Sequence, residues 1–222
     1  MIPSNRSLVA VDCPIENRAG RSWDEEYLDG PPPWDIGRPQ PAVVRLGAAG
    51  GFDGSVLDAG CGTGENALHI AELGLPVLGV DIAETAISAA RSKAKARGVA
   101  AEFAVADATQ LDGIDRTFDT VLDCGLFHSL DDDLRPHYVR GVTSLTKPGA
   151  TFYVICFRDE GADAGPHPVS EQEIRGAFNP ATGWAIASLD RDRVDTLFHP
   201  NGATVWLATL KRTTGSNGLP QI

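Results

Sequence analysis

Three glycines alternate along the chain at Gly60, Gly62 and Gly64, directly after a short apolar run. Glycine permits positive φ and lets the backbone approach a bound molecule, so this spacing predicts a strand, a tight loop and a helix from Glu65. Asp58 adds a carboxylate at the carboxyl end of the strand, where it can hold the loop or attract a cationic group. The stretch is therefore a candidate cradle for a small molecule.

The loop differs from the nicotinamide-binding fingerprint at one position. G-x-G-x-x-G places its third glycine at position 65, where this chain has Glu65, whose carboxylate would face a pyrophosphate at the helix N-terminus. The sequence also lacks a Tyr-x-x-x-Lys pair. These features argue against a nicotinamide-dependent oxidoreductase. They favour a ligand with cationic groups, such as S-adenosylmethionine (SAM), which carries an ammonium and a sulfonium.

The motif D-A-G-C-G-T-G at 58–64, followed by a strand ending in Asp81, resembles class I SAM-dependent methyltransferases, and the resemblance runs from about 55 to 157. The segments PPPWDIGRPQP at 31–41 and LFHSL at 126–130 resemble a narrower group. These are bacterial small-molecule methyltransferases related to thiopurine methyltransferases, including the mycobacterial heterocyclic-toxin methyltransferases. The resemblance implies SAM as cofactor and methyl transfer to oxygen, sulfur or nitrogen of a small aromatic or heterocyclic acceptor.

Apolar strand patterns alternate with helical patterns through most of the chain, and two further strands follow near its end. We therefore predict an α/β fold: a doubly wound, mostly parallel, seven-stranded Rossmann-like sheet with an antiparallel C-terminal hairpin. Residues 1–222 are expected to form one domain. Within it we expect a loosely ordered lead-in at 1–21, an active-site cover at 22–40 and a frayed tail at 213–222.

Ligands of such sheets bind at the carboxyl ends of the strands, where four acids of this sequence fall. Asp81 lies at a distance from the loop that suits a ribose diol, which we favour over the alternative that it only caps the next helix. The resemblance pairs Asp107 with the adenine amine, against the alternative of a simple turn. The residues expected to bind the cofactor are Asp58, Gly60, Cys61, Gly62, Asp81, Ile82, Asp107, Ala108, Asp123 and Trp34.

His128 follows a strand end and precedes an acidic run, so it should project into the same crevice as the transferred methyl group. Its position and the LFHSL resemblance suggest a general base, against the alternative of a packing residue. The other four histidines are interpreted as packing or capping residues. Tyr27, Trp34 and Phe127 are expected to line the acceptor pocket, although Trp34 could instead be a core aromatic.

The composition limits the partners that the chain can have. The 222 residues carry a net charge of −11, which would repel nucleic acid and anionic membrane surfaces. We therefore expect a small-molecule substrate and no nucleic-acid or membrane partner. The sequence leaves open a monomer or a homodimer.

Four cysteines without a C-x-x-C pair, and no secretion signal or long apolar run, predict a cytoplasmic protein. We expect no metal, because the consecutive acids Asp131–Asp133 point in different directions. A second function left open by the sequence is a SAM-binding regulator without catalytic activity.

Overall fold

The computed structural model describes residues 21–159 and 167–213, so the predicted lead-in up to residue 20 and the tail from residue 214 lie outside the described residues. Within the described ranges one sheet of seven strands is flanked by five α-helices. The strands are β1 Val56–Ala59, β2 Val77–Asp81, β3 Glu102–Val105, β4 Phe118–Cys124, β5 Thr146–Phe157, β6 Trp184–Val194 and β7 Ala203–Arg212. The helices are α1 Pro41–Ala48, α2 Glu65–Glu72, α3 Glu84–Arg97, α4 Arg135–Ser144 and α5 Glu171–Ala177.

The strands lie in the order β3-β2-β1-β4-β5-β7-β6. β1 to β5 pair in parallel, whereas β7 pairs antiparallel with both β5 and β6. This topology confirms the predicted fold. From β1 the chain first builds outward through β2 and β3 and then returns to add β4 on the other side, which opens a crevice at the carboxyl ends of β1 and β4.

The two faces of the sheet are both buried. Leu57 belongs to the apolar cluster on one face with Phe152, while its neighbour Val56 belongs to the cluster on the other face with Leu68 and Ile87. Because side chains alternate along a strand, a strand covered by helices on both sides needs apolar residues at consecutive positions. This requirement explains the continuous apolar runs in the sequence.

Two details differ from the sequence-based expectations. The helical spacing of Trp23, Tyr27 and Leu28 predicts a short amphipathic helix, but the structure has only a 3-10 turn at Glu25–Tyr27, which buries none of its residues. A single turn without a buried face gains too little from packing to extend into an α-helix. The run Asp131–Asp133 was expected at the start of a helix that includes Leu134, and it lies just before α4, which begins at Arg135.

Nowhere in the described parts of the chain is there a helix that combines the length and the apolar composition needed to cross a membrane.

Candidate active site

A cavity of about 430 Å³ lies at the carboxyl ends of the parallel strands. Its walls come from the glycine loop, the ends of β2, β4 and β5, and the connection between β6 and β7. Residues of the cover segment, defined as residues 22–40, complete the wall on one side. This volume falls within the range of small-molecule sites, and the location is the one predicted from the strand ends.

The glycine loop adopts the backbone that the sequence predicts. Gly60, Gly62 and Gly64 have φ values of 70°, 52° and 85°. A Cβ on Gly62 would lie 3.0 Å from the Tyr27 hydroxyl, and a Cβ on Gly64 would lie 2.8 Å from the Ala90 Cβ. Gly62 therefore lets the cover segment approach the loop, and Gly64 lets α2 pack closely against α3.

Asp81 is fixed at the edge of the cavity by two backbone amides. Its Oδ2 accepts a hydrogen bond from the Gly62 N–H at 2.8 Å, and its Oδ1 accepts one from the Ala83 N–H at 2.9 Å. Burial raises the pKa of the Asp81 carboxyl, while these N–H donors oppose the rise. Each carboxylate oxygen keeps a further lone pair for a ligand. Ile82, the next residue, also lines the cavity.

Asp107 and Ala108 form part of the same wall. The Asp107 Oδ1 accepts hydrogen bonds from the Thr109 N–H at 2.8 Å and from the Thr109 hydroxyl at 2.7 Å, and Oδ2 accepts one from Gln110 Nε2 at 3.1 Å. The carboxylate therefore stabilises its own turn. These local bonds also fix its orientation toward any ligand.

Asp123 lies outside the cavity wall, which corrects the expectation that it borders the ligand directly, and Asp58, expected to hold the loop or to attract a cationic group, lies outside the wall as well. Both side chains are buried, and neither belongs to the cavity wall. Asp123 Oδ1 accepts from the Leu126 and Phe127 N–H groups, and Oδ2 accepts from the Tyr138 hydroxyl at 2.8 Å. These donors from the following turn and from α4 hold the carboxylate inside the sheet.

The two buried acids also influence each other. Burial raises the pKa of Asp58 to about 8, with a smaller contribution from the charge of Asp123, and burial raises the pKa of Asp123 to about 6. Asp58 Oδ2 is buried and finds no hydrogen-bond partner among the described residues. A carboxyl in this position binds a proton more readily than it would in water.

His128 lies in the cavity wall, as predicted. Its ring stacks against Phe157 with the ring centroids 4.4 Å apart, and its Nδ1 is buried without a partner in the described ranges. Burial, together with smaller contributions from the neighbouring His167 and Arg135, lowers the pKa of His128 to about 3. The imidazole is therefore neutral at physiological pH and offers one donor and one acceptor.

Phe127 does not line the cavity, which corrects the expectation that it forms a wall for the acceptor. Its side chain is 0% exposed, and its ring packs 5.2 Å from that of Phe178 on one side. The Arg135 guanidinium lies 5.0 Å from the centre of the ring. In the 3-10 turn at Phe127–Ser129, consecutive side chains point in different directions, so Phe127 enters the core while His128 faces the cavity.

The aromatic residues of the cover segment pack on each other above the glycine loop. Trp34 Nε1 donates a hydrogen bond to the Tyr27 hydroxyl at 3.1 Å, and the Trp23 and Trp34 rings meet edge to face at 5.9 Å. Trp34 is 42% exposed, so it is not a core aromatic. Burial and the nearby Asp81 charge raise the pKa of Tyr27, which keeps its phenol protonated.

Two carboxylates hold the cover segment against the glycine loop and against α3. Asp35 Oδ2 accepts a hydrogen bond from the Thr63 hydroxyl at 2.7 Å. Asp24 Oδ1 accepts one from the Thr85 N–H at 2.7 Å, in the first turn of α3. The first contact joins the cover segment to the glycine loop, and the second joins it to the helix that follows Asp81.

Several residues that line the cavity were not predicted from the sequence. Phe198, His199 and His167 line the cavity, although the two histidines had been interpreted as packing or capping residues. The β6–β7 connection reaches the site because Asp195 forms an ion pair with Arg38 at 2.7 Å. The exposed apolar Phe198 in a polar turn was the one signal that could have drawn attention to this connection.

Within the ranges that the structure describes, no group of three or more histidine, cysteine or acidic side chains is arranged to hold a metal ion.

Comparison with known proteins agrees with this geometry. A family model described as a methyltransferase domain matches residues 56–149. Over 155 residues the chain is 43% identical to 2-heptyl-1-hydroxyquinolin-4(1H)-one methyltransferase of Mycobacteroides abscessus, a match that covers 68% of each protein. The chain belongs to the SAM-dependent methyltransferase family. The cofactor of this methyltransferase is SAM, as predicted.

Two other similarities cover more of the methyltransferase. It is 29% identical over 181 residues to probable thiol methyltransferase 2 of Arabidopsis thaliana, across 80% of this chain and 79% of the relative. It also resembles a structure solved in a study of the conversion of a disulfide bond into a thioacetal group during echinomycin biosynthesis. That likeness has a TM-score of 0.75 and 38% identity and covers 84% of this chain and 86% of the other.

Proposed function

We propose that this methyltransferase transfers the methyl group of SAM to an oxygen, sulfur or nitrogen atom of a small aromatic or heterocyclic acceptor, of phenol or hydroxyquinolone type. The observation that carries the proposal is the position of His128 and Phe157 in the same cavity as the glycine loop and Asp81. A cofactor cradle and an aromatic acceptor site then share one space. The hydroxyquinolone methyltransferase relative supports this choice of acceptor.

The residues of the cradle suit the cofactor. The Asp81 carboxylate has free acceptor capacity for a ribose diol, and Asp107 presents a fixed carboxylate for the adenine amine, with Ile82 and Ala108 beside the ring. Gly60, Cys61 and Gly62 bring backbone close to the ligand. SAM supplies an electrophilic methyl group on a sulfonium. Asp58 and Asp123 contribute negative charge beneath the loop, which favours a cationic ligand when they are ionised.

The acceptor end of the cavity favours an uncharged or weakly acidic ring. Ile155, Phe157 and Val205 supply apolar surface there. Arg38 is the one arginine or lysine among the described cavity-lining residues, and it is already paired with Asp195. A small inorganic anion would thus find no unpaired cation. This arrangement favours a ring compound over thiocyanate, the substrate named for two plant relatives that belong to the same set of matches.

Tyr27 and Trp34 are proposed to close the site over the cofactor and the acceptor. Their mutual hydrogen bond and the neighbouring prolines hold them above the loop, which reduces the access of water to the cavity. Alignment of the acceptor atom with the methyl carbon in a dry site supplies much of the acceleration in such a displacement.

His128 is proposed to bind the acceptor atom that receives the methyl group. The sequence suggested a general base at this position, but a pKa of about 3 makes the ring a weak base for an ordinary phenol. A neutral imidazole can instead orient the acceptor through one hydrogen bond. We therefore assign His128 an orienting role.

The test is a methylation assay with trideuteromethyl-labelled SAM and four acceptors: a hydroxyquinolone, a simple phenol, an aliphatic thiol and thiocyanate. We expect labelled products from the ring compounds, and competition by S-adenosylhomocysteine but not by NADH. Faster methylation of thiocyanate than of the rings would overturn the acceptor class. Tight SAM binding with no transfer to a broad panel would favour the non-catalytic regulator.

A further inference from the structure

The placement of His167 follows from a local pairing of the chain with the end of β5. The Val169 N–H donates to the Phe157 carbonyl at 2.8 Å, and Val169 forms an isolated parallel bridge with Arg158. Trp206 Nε1 in turn donates to the Val169 carbonyl at 3.0 Å. These bonds bring His167 to the carboxyl edge of the sheet, into the cavity wall that also contains His128 and Phe157.

The backbone of His167 is unusual. Its φ is 55°, and it is the one residue other than glycine with a positive φ among those described. A left-handed backbone disfavours most side chains, although asparagine, aspartate and histidine adopt it more often than other residues. Such conformations concentrate at functional sites, so this one motivates a functional hypothesis for the side chain.

His167 lines both the acceptor cavity and a second, polar cavity of about 290 Å³. The charged residues of this second cavity are Asp132, Arg135 and Glu173. Arg135 bonds to Asp132 at 3.1 Å and to Glu173 at 2.9 Å, and the Asp132 side chain is 88% exposed. The second cavity therefore connects His167 to solvent through charged groups.

His128 and His167 differ in the charged groups that surround them. His128 is enclosed by the acceptor cavity, where Phe157 covers its ring and the facing charged groups are His167 and Arg135. His167 faces His128 on one side. On the other side it faces Arg135 together with the two carboxylates of Asp132 and Glu173, which offset the guanidinium charge. A positive charge on the His167 ring would lie beside these two carboxylates, whereas the charged groups that lower the pKa of His128 are His167 and Arg135.

We propose that His167 is a second catalytic histidine, which takes the proton of the acceptor and releases it to water through the second cavity. This inference rests on the proposed function. In the step, the acceptor O–H bond breaks and its proton binds an imidazole nitrogen of His167. The electron pair of the oxygen forms the bond to the methyl carbon, and the C–S bonding pair remains on sulfur. His128 orients the same oxygen.

The first test is the pH dependence of kcat/KM for a simple phenol, which itself ionises only near pH 10. His167→Asn removes the titrating group and keeps a residue that tolerates the left-handed backbone. His137→Asn, on the exposed side of α4, is the matched control. We expect a rise in rate with pH between about 5 and 8 in the wild type and the control. His167→Asn should flatten this rise and lose roughly a hundredfold to ten-thousandfold at its upper end.

The second test needs no turnover. In ring-labelled protein, the His167 signal is identified by its loss in His167→Asn and should titrate between about pH 5 and 8, whereas the His128 signal should not. Binding of S-adenosylhomocysteine should stay within twofold of wild type. If circular dichroism shows that His167→Asn does not fold, His167→Gln is used instead. The titration of the wild-type protein then still tests whether His167 takes up a proton in this pH range.

The outcomes separate the two proposals. If His167→Asn keeps the full rate and the same pH rise, or if His128 titrates in that range and His167 does not, the inference is refuted while the methyltransferase function stands. If the wild-type protein methylates no acceptor, the proposed function is refuted, independently of the role of His167. The histidine titration then still shows whether His167 can hold a proton beside the cavity.

Discussion

Asp81→Asn should weaken cofactor binding strongly while leaving the shape of the site almost unchanged. Each oxygen of Asp81 already holds a backbone N–H, that of Gly62 at 2.8 Å and that of Ala83 at 2.9 Å. In either orientation, the amide nitrogen of asparagine would face one of these N–H donors and could not accept from a ligand hydroxyl. The substitution therefore removes a charge-assisted acceptor at the proposed ribose contact.

The expected loss is that of one hydrogen bond to a charged group, about 1.5–3 kcal/mol. At 1.4 kcal/mol per factor of ten, the Kd for SAM should rise by roughly ten- to a hundredfold or slightly more. Isothermal titration calorimetry with SAM and S-adenosylhomocysteine measures this change. Asp112→Asn, an exposed acid outside the cavity, is the control and should bind as the wild type does.

Two results would contradict the reasoning on Asp81. If the Kd of Asp81→Asn for SAM stays within twofold of the wild-type value, Asp81 only stabilises the loop and the start of α3 and does not contact the ligand. A large drop in the unfolding temperature of the variant, matching its loss of affinity, would assign the effect to the fold rather than to a ligand contact. NADH should not displace SAM from either protein.

Three further predictions concern the acceptor site, the cover segment and the buried acids. His128→Ala should slow methylation of a simple phenol and of an acidic phenol to a similar extent, because an orienting role does not depend on acceptor ionisation. A loss of rate confined to the weakly acidic acceptor would instead show that His128 acts as a general base. Hydrogen exchange of residues 23–39 should slow when S-adenosylhomocysteine binds. Asp35→Asn, which weakens the contact with Thr63, should reduce that protection. Equal exchange with and without the ligand would mean that Trp34 is an ordinary packing residue. Asp58 has a folded-state pKa raised from 3.8 to about 8, so its contribution to stability is complete below about pH 4 and is lost as pH rises toward 8. Asp58→Asn should therefore gain unfolding temperature relative to wild type as pH rises from 5 to 8 in the free protein, and a constant difference across that range would contradict the raised pKa.

The fold could be predicted from the sequence because each strand, turn and helix is encoded by residues that lie close together in the chain. The glycine spacing at 60–64 required positive φ values, and consecutive apolar residues such as Val56 and Leu57 required a strand buried on both faces. The observed φ values and the two apolar clusters confirm both interpretations. The single domain, the oligomeric state and the cytoplasmic location stay predictions.

The candidate site was less predictable, because side-chain direction depends on tertiary contacts. Phe127 and His128 are neighbours in one turn, yet packing against Phe178 decides that the phenylalanine enters the core. Asp123 lies at a strand end, as expected, but the Tyr138 hydroxyl holds it beneath the cavity. His167 reaches the site only through the pairing of Val169 with the end of β5, for which no local pattern exists.

The most direct test of the central claim is a single-turnover reaction. The methyltransferase, loaded with one equivalent of trideuteromethyl-labelled SAM, is mixed with excess hydroxyquinolone, and the labelled product is quantified by mass spectrometry. The proposed function predicts close to one equivalent of methylated hydroxyquinolone and one of S-adenosylhomocysteine per protein molecule. Stoichiometric SAM binding with no labelled hydroxyquinolone, while SAM remains intact, would contradict it.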